Sequence, residues 1–188
     1  MVNHHVRIIA GYWRGKHIPV PDKEMVRPTG DRIRETLFNW LGSRLHNAYC
    51  LDLFAGSGIL GLEALSRGAT QVTFVDSDAQ VIRSLEKVVS SLHLDKNKAS
   101  VSLLNQNALL PITPAPKPYD IIFLDPPFQS DLLNQCIPLL KQYGYEKPGT
   151  WVYIEQQQTQ ALSLPLHWES IKQGKAGHVS YQLIEVGL

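Results

Sequence analysis

The stretch Asp52-Leu53-Phe54-Ala55-Gly56-Ser57-Gly58-Ile59-Leu60-Gly61 leaves few folds open to this chain. It joins a short apolar run, Cys50 to Phe54, to a helical pattern from Gly58 to Ser66 that Gly68 closes. Gly56, Gly58 and Gly61 fit G-x-G-x-x-G, and Asp76 ends the next apolar run, 18 residues after Gly58. Glycines at this spacing permit a tight turn, close approach of backbone to a ligand and close packing of helix on strand. An acid at the next strand end suits ribose hydroxyls.

The alternation continues downstream. Gln71 to Val75 reads as a strand, and Ser77 or Asp78 can cap a helix whose Val81, Leu85, Val88 and Leu92 keep to one face. Val101 to Leu104, Asp120 to Leu124 and Thr150 to Ile154 read as further strands. Leu132 to Gln142 reads as a helix in which Pro138 predicts a kink or an early stop. Pro111 to Pro118, with four prolines, reads as a surface loop. Glu169 to Gln173 and Val179 to Val186 flank Gly174-Lys175-Ala176-Gly177, which reads as a closing hairpin. Strand and helix in turn predict an α/β fold, a mostly parallel sheet with helices on both faces. Ligands in such a fold bind beyond the carboxyl ends of the strands.

The first 46 residues have a different character. Val6 to Ala10 and His17 to Val20 suggest a hairpin around Gly11, Trp13 and Gly15. Val26 to Gly30 is a turn-like lead-in, and from Asp31 a helical stripe runs through Ile33, Leu37, Leu41 and Leu45. The formal charge of the 188 residues is only +1. Residues 1–46 nevertheless hold eight basic and four acidic side chains, and the remainder holds ten and thirteen. We therefore divide the chain into a basic N-terminal extension, residues 1–46, and an α/β domain, residues 47–188.

At 44% hydrophobic and 19% charged, the composition is that of an ordinary globular protein and excludes collagen-like, disordered and disulfide-scaffold classes. Cys50 and Cys136 form no zinc or redox motif, and the seven histidines have no metal spacing, so no metal is expected. No apolar run reaches membrane-spanning length and the start lacks a secretory signal, so the expected location is cytoplasmic.

The glycine loop alone leaves open a dinucleotide or S-adenosylmethionine. Asp52 favours the second, because a carboxylate there repels a pyrophosphate and attracts a cationic amino group or sulfonium. Asp125-Pro126-Pro127-Phe128, after the fourth strand, is the most specific tetrapeptide in the chain. Consecutive prolines fix φ and remove two backbone donors. An Asp carboxylate, fixed carbonyls and an aromatic ring then make a cradle for a flat group that bears an NH2. Held so, the amine can direct its lone pair at a methyl group, and the rate comes from positioning.

These motifs resemble class I S-adenosylmethionine-dependent methyltransferases. Arg7 to Gly15 and Arg27 to Leu41, with Asp52 to Leu65 and the D-P-P-F tetrapeptide, more closely resemble the RsmD family, which methylates N2 of a guanine in 16S ribosomal RNA. The resemblance implies a Rossmann-like, seven-stranded sheet whose last strand is antiparallel. It also implies that Phe54, Ala55, Gly56, Ser57 and Gly58 lie against the methionine end of the cofactor, with Asp52 near its amino group. Asp76, with Ser77 beside it, would take the ribose, Asn107 and Ala108 the adenine, and Asp125 to Phe128 the target base. Where Asn107 stands, many relatives have Asp. After Glu155 the usual second acid is replaced by Gln156, Gln157 and Gln158. The implied partner is 16S rRNA in a partly assembled small subunit, met by a monomer.

Arg7, Arg14, Lys16, Arg27, Arg32 and Arg34, interleaved with Tyr12 and Trp13, suit phosphates and unstacked bases, and Lys175 is a second candidate contact. The alternatives are an N6-adenine methyltransferase, which shares the cradle, and a protein-glutamine methyltransferase, which typically has Asn in place of Asp125. Outside that class stand an NAD-dependent oxidoreductase and an inactive RNA-binding module.

Overall fold

The computed structural model describes residues 5–20, 30–95, 97–113, 117–128 and 130–188. Val26 to Thr29, including the candidate RNA contact Arg27, lies outside the described residues, as do Pro114 and Pro116. The elements in chain order are β1 (His5–Arg7), β2 (His17–Pro19), α1 (Asp31–Leu41), β3 (Tyr49–Asp52), α2 (Ile59–Ser66), β4 (Gln71–Asp76) and α3 (Ala79–Ser91). They continue with β5 (Ser100–Asn105), β6 (Ile121–Leu124), α4 (Leu132–Gln142), β7 (Trp151–Gln157), β8 (Trp168–Ala176) and β9 (Val179–Val186).

Seven strands form one sheet in the order β5-β4-β3-β6-β7-β9-β8, in which β9 is antiparallel to both neighbours and the other pairings are parallel. From β3 the chain winds outward through β4 and β5, then returns to β6 on the other side of β3. The strand order therefore reverses between β3 and β6, and the loops leaving these two strands diverge to leave a crevice. The glycine loop leaves β3 and the D-P-P-F segment leaves β6.

Side chains alternate across the strands and divide the core in two. Cys50, Phe74, Phe123 and Tyr153 pack with α1, α2 and α3, whereas Leu51, Val75, Leu124 and Ile154 pack with α4, Tyr119, Tyr145 and Trp168. Burial on both faces explains why β6 is apolar at every position. Ile8, Trp13 and Ile18 of the N-terminal hairpin belong to the first of these clusters, so the hairpin and the sheet share a core. Both thiols are buried and burial pushes them up, Cys136 to about 12, which leaves them inert. Among the described residues no helix is long and apolar enough to cross a membrane.

Three local expectations change. α4 runs past Pro138 to Gln142 without stopping early, because Pro138 is exposed and water can hydrate the carbonyl its missing N–H leaves. The expected helix beyond Asp31 ends at Leu41, and a 3-10 turn, Gly42–Leu45, carries the last buried leucine of the stripe. Gly174 and Lys175 are strand residues, and the closing turn contains only Gly177 and His178. Gly174 lies opposite Tyr181, and a Cβ there would strike the tyrosine ring.

Candidate active site

At the carboxyl ends of β3, β4 and β6 lies a cleft of about 560 Å³, within the range of small-molecule and cofactor sites. Asp52, Phe54, Ala55, Gly56, Ser57, Asp76, Ser77, Asn107, Ala108 and all four residues from Asp125 to Phe128 line it. Gly58 supports the loop from behind as the N-cap of α2. Its φ is 74° and a Cβ would strike Leu85, so a side chain there meets both strain and a clash. Gly61 faces the Phe74 ring so closely that a Cβ would overlap it, which brings α2 down onto β4.

The acids of the cleft also build it. Asp76 accepts from Gly56 N at 2.9 Å and Asp78 N at 2.8 Å, and so ties the glycine loop to the end of β4. Asp78 accepts from Gln80 N at 2.7 Å and caps α3. Asp52 is 2% exposed and accepts from Gly61 N at 3.1 Å. Burial pushes its carboxyl up to about 7, against the pull of the Gly61 N–H, and the Asp76 charge adds to the rise. Asn107 uses its side-chain oxygen locally, accepting from Leu109 N at 2.9 Å.

On the opposite wall Pro126 is buried, Pro127 is exposed, and the Pro127 carbonyl accepts from Ser130 Oγ at 2.7 Å. Glu155 lines the same wall at 4% exposure and accepts from Tyr153 Oη at 2.8 Å. Burial, and then the Glu155 and Asp125 charges, hold the Tyr153 phenol well above its usual range. Sequence reasoning left Glu155 without a role. Its one local signal is an acid directly after the apolar run Trp151 to Ile154.

The basic candidates separate into groups. Arg32 is exposed beside Ile33, and Lys175 is exposed beside Ala176; Ile33 and Ala176 line the cleft. Arg7 and Arg14 are exposed on the N-terminal hairpin, and Lys16, half-buried, donates to Ser91 O at 2.8 Å. Arg34 is a correction. Its side chain is fully buried, donates to Arg7 O at 3.0 Å, pairs with Asp31 and lies 3.6 Å from Glu63, so it cannot meet RNA. Glu63, also buried, accepts from Ile9 N at 2.8 Å, Ala10 N at 3.0 Å and Arg67 Nε at 2.8 Å.

Five carboxylates, Asp52, Asp76, Asp78, Asp125 and Glu155, line the cleft, and among the described residues its lining contains no lysine or arginine. Such a wall disfavours the pyrophosphate of a dinucleotide and fits a phosphate-free cation.

The family described as conserved hypothetical protein 95 matches residues 6–185. Ribosomal RNA small subunit methyltransferase D of Haemophilus influenzae is 45% identical over 96% of this chain and 93% of its own length. The Escherichia coli protein of that name is 41% identical over 96% of this chain and 89% of its own. A solved structure described as a putative methyltransferase, yhhF, from Escherichia coli superposes with a TM-score of 0.85 at 39% identity, covering 98% of this chain and 99% of that one. A T. thermophilus 16S rRNA N2 methyltransferase, RsmC, solved with AdoMet and guanosine, shares the fold. Its TM-score is 0.69 at 19% identity, over 99% of this chain and 50% of that one.

Proposed function

The chain belongs to the RsmD family, conserved hypothetical protein 95, and from that premise we propose that it methylates the exocyclic N2 amine of a guanine in 16S ribosomal RNA. The observation that carries the reading is the cleft between the glycine loop and the D-P-P-F segment, whose described lining has five carboxylates and no lysine or arginine. S-adenosylmethionine, when bound, supplies an electrophilic methyl group on a sulfonium. The backbone of Phe54 to Gly58 would hold its methionine end, Asp52 its amino group, Asp76 and Ser77 its ribose, and Asn107 and Ala108 its adenine.

The Asp125 carboxylate and the Pro126 carbonyl would accept the amine's two N–H bonds while Phe128 stacks on the base. Hydrogen bonds to both N–H groups favour a pyramidal nitrogen and return its lone pair from the ring. The amine nitrogen would gain the methyl group as the sulfonium's S–CH3 bond breaks and leaves a neutral thioether, and would lose one proton, which the Asp125 carboxylate can accept. The work of the site is alignment and electrostatics, with no strong base needed. Arg32 and Lys175, exposed and next in the chain to cleft-lining Ile33 and Ala176, would meet phosphates near the target base, and Arg7, Arg14 and Lys16 make the N-terminal extension basic. We take the substrate to be a partly assembled small subunit and the enzyme to be a cytoplasmic monomer.

Incubation with S-adenosylmethionine and either 16S rRNA or small-subunit particles, followed by mass spectrometry of the nucleosides, is expected to show N2-methylguanosine. N6-methyladenosine in its place would overturn the base assignment, and tight NAD binding would overturn the cofactor. Asp125→Ala is expected to lower kcat at least about a hundredfold while S-adenosylmethionine affinity stays within a few-fold.

A further inference from the structure

α2 and α3 both begin at the cleft, α2 with Ile59 and Leu60 and α3 with Val81. The loop joining β1 to β2 is fastened to their other ends. Tyr12 N donates to Ser66 O at 2.7 Å and Trp13 N to Ser66 Oγ at 2.9 Å, both on the last residue of α2. Trp13 Nε1 donates to Leu92 O at 3.1 Å and Lys16 Nζ to Ser91 O at 2.8 Å, at the end of α3. At 1.5 Å per residue the two helices set the loop roughly 12 to 20 Å from the cleft.

The loop is rigid where it could have been slack. Glu63 accepts from Ile9 N and Ala10 N, and Ser66 Oγ donates to Ala10 O at 2.7 Å. On this fixed backbone Trp13 turns into the core, while Tyr12 is 85% exposed beside exposed Arg14. Residues 1–20 contain no Asp or Glu. A large aromatic ring held 85% in water on a locked, cationic, acid-free loop touches the core only edge-on through Trp13, at 5.8 Å between ring centroids. It matches what binds unpaired bases along a phosphate backbone.

We propose that the β1–β2 loop is a second RNA contact, at which Tyr12 stacks on an unpaired base of ribosomal RNA remote from the methylated base and Arg14 meets its phosphates. The proposal rests on the rRNA substrate argued above. It makes recognition bipartite: a short RNA around the target guanine fills the cleft and leaves the loop empty, whereas 16S rRNA engages both.

Filter binding and methylation kinetics would compare the wild-type protein with Tyr12→Ala, Tyr12→Phe and Arg14→Glu. The substrates are a complete 16S rRNA transcript, bare and in small-subunit particles, and a short hairpin around the mapped methylation site. Tyr12→Ala is expected to weaken the Kd and raise the KM for the transcript about tenfold, with kcat unchanged and the hairpin indifferent. Tyr12→Phe keeps the ring and is expected to match wild type, and thermal unfolding should be the same for all four proteins. Equal losses on both RNAs, or none on either, overturn the proposal. So does a loss confined to protein-containing particles, which assigns the loop to a ribosomal protein. If the wild-type protein methylates no rRNA, the proposed function fails by itself, because transcript affinity still reads the loop.

Discussion

Asp52 sits at the end of β3 almost out of reach of water, with its carboxyl pushed up to about 7 by burial. An unfolded aspartate titrates near 3.9, so the folded chain holds the proton over a range in which the unfolded chain has lost it. The sign follows from linkage: this residue's contribution to stability is largest at low pH and is lost as pH rises from about 4 to about 7. A cation bound beside Asp52 favours its ionised form. Affinity for S-adenosylmethionine is therefore expected to fall as pH falls below about 7, with proton release on binding near neutrality. Calorimetry in buffers of different ionisation enthalpy measures both, and Asp52→Asn should flatten the profile. Flat affinity in the wild-type protein would sink this account. At the same scale Arg34 marks where sequence reasoning was incomplete. The stripe of Ile33, Leu37 and Leu41 left out Phe38, which is buried too. With Phe38 included, position 34 falls on the inward face at i−4, and an arginine there has to find a carboxylate inside the protein.

That carboxylate belongs to α2, whose eight residues are all buried. Its first turn carries the glycine loop and its last two turns hold the backbone of residues 9–13 through Glu63 and Ser66. Glu63 is the only charged residue of the helix. Removing its carboxylate takes the acceptor from two backbone N–H groups and one of its two carboxylate neighbours from the buried Arg34, which also pairs with Asp31. Glu63→Ala is expected to cost about 3–5 kcal/mol in denaturant unfolding, far beyond an ordinary surface change. A loss under about 1 kcal/mol would mean that water reaches Arg34. The existence of the elements was legible, because apolar runs and one-face periodicity mark β3 to β9 and α1 to α4 within a residue or two at most ends. Bounds at the end of α1 and at β7 and β8 were missed by more. Gln156 and Gln157, and likewise Gly174 to Ala176, pair along the ladder without large apolar side chains to announce it. The site was legible wherever a motif fixed backbone: the glycine loop and D-P-P-F. Glu155 was not, because its place depends on β7 lying beside β6, which no local pattern states.

For the whole molecule, the division proposed at residue 46 crosses a shared core. Ile8 and Ile18 are 0% and 1% exposed and pack in the same cluster as α1 to α3. Each such side chain is worth roughly 1.5–3 kcal/mol of burial, against a typical total of about 5–15 kcal/mol. Deleting residues 1–20 is accordingly expected to lower the melting temperature sharply or yield insoluble protein, as read by thermal unfolding. A truncated chain that melts like the full one and lacks only RNA affinity would show that the extension is dispensable to the fold. The small net charge likewise hides two surfaces of opposite sign, a basic hairpin face and an acidic cleft. Finally, β3 and β6 are hydrogen-bonded neighbours, with Asp52 opposite Phe123, and neighbouring strands lie about 4.8 Å apart. The sheet thereby acts as a ruler between the loop assigned to the methyl donor and the loop assigned to its acceptor. Their spacing is settled once, when the chain folds, so each turnover begins with that alignment already made.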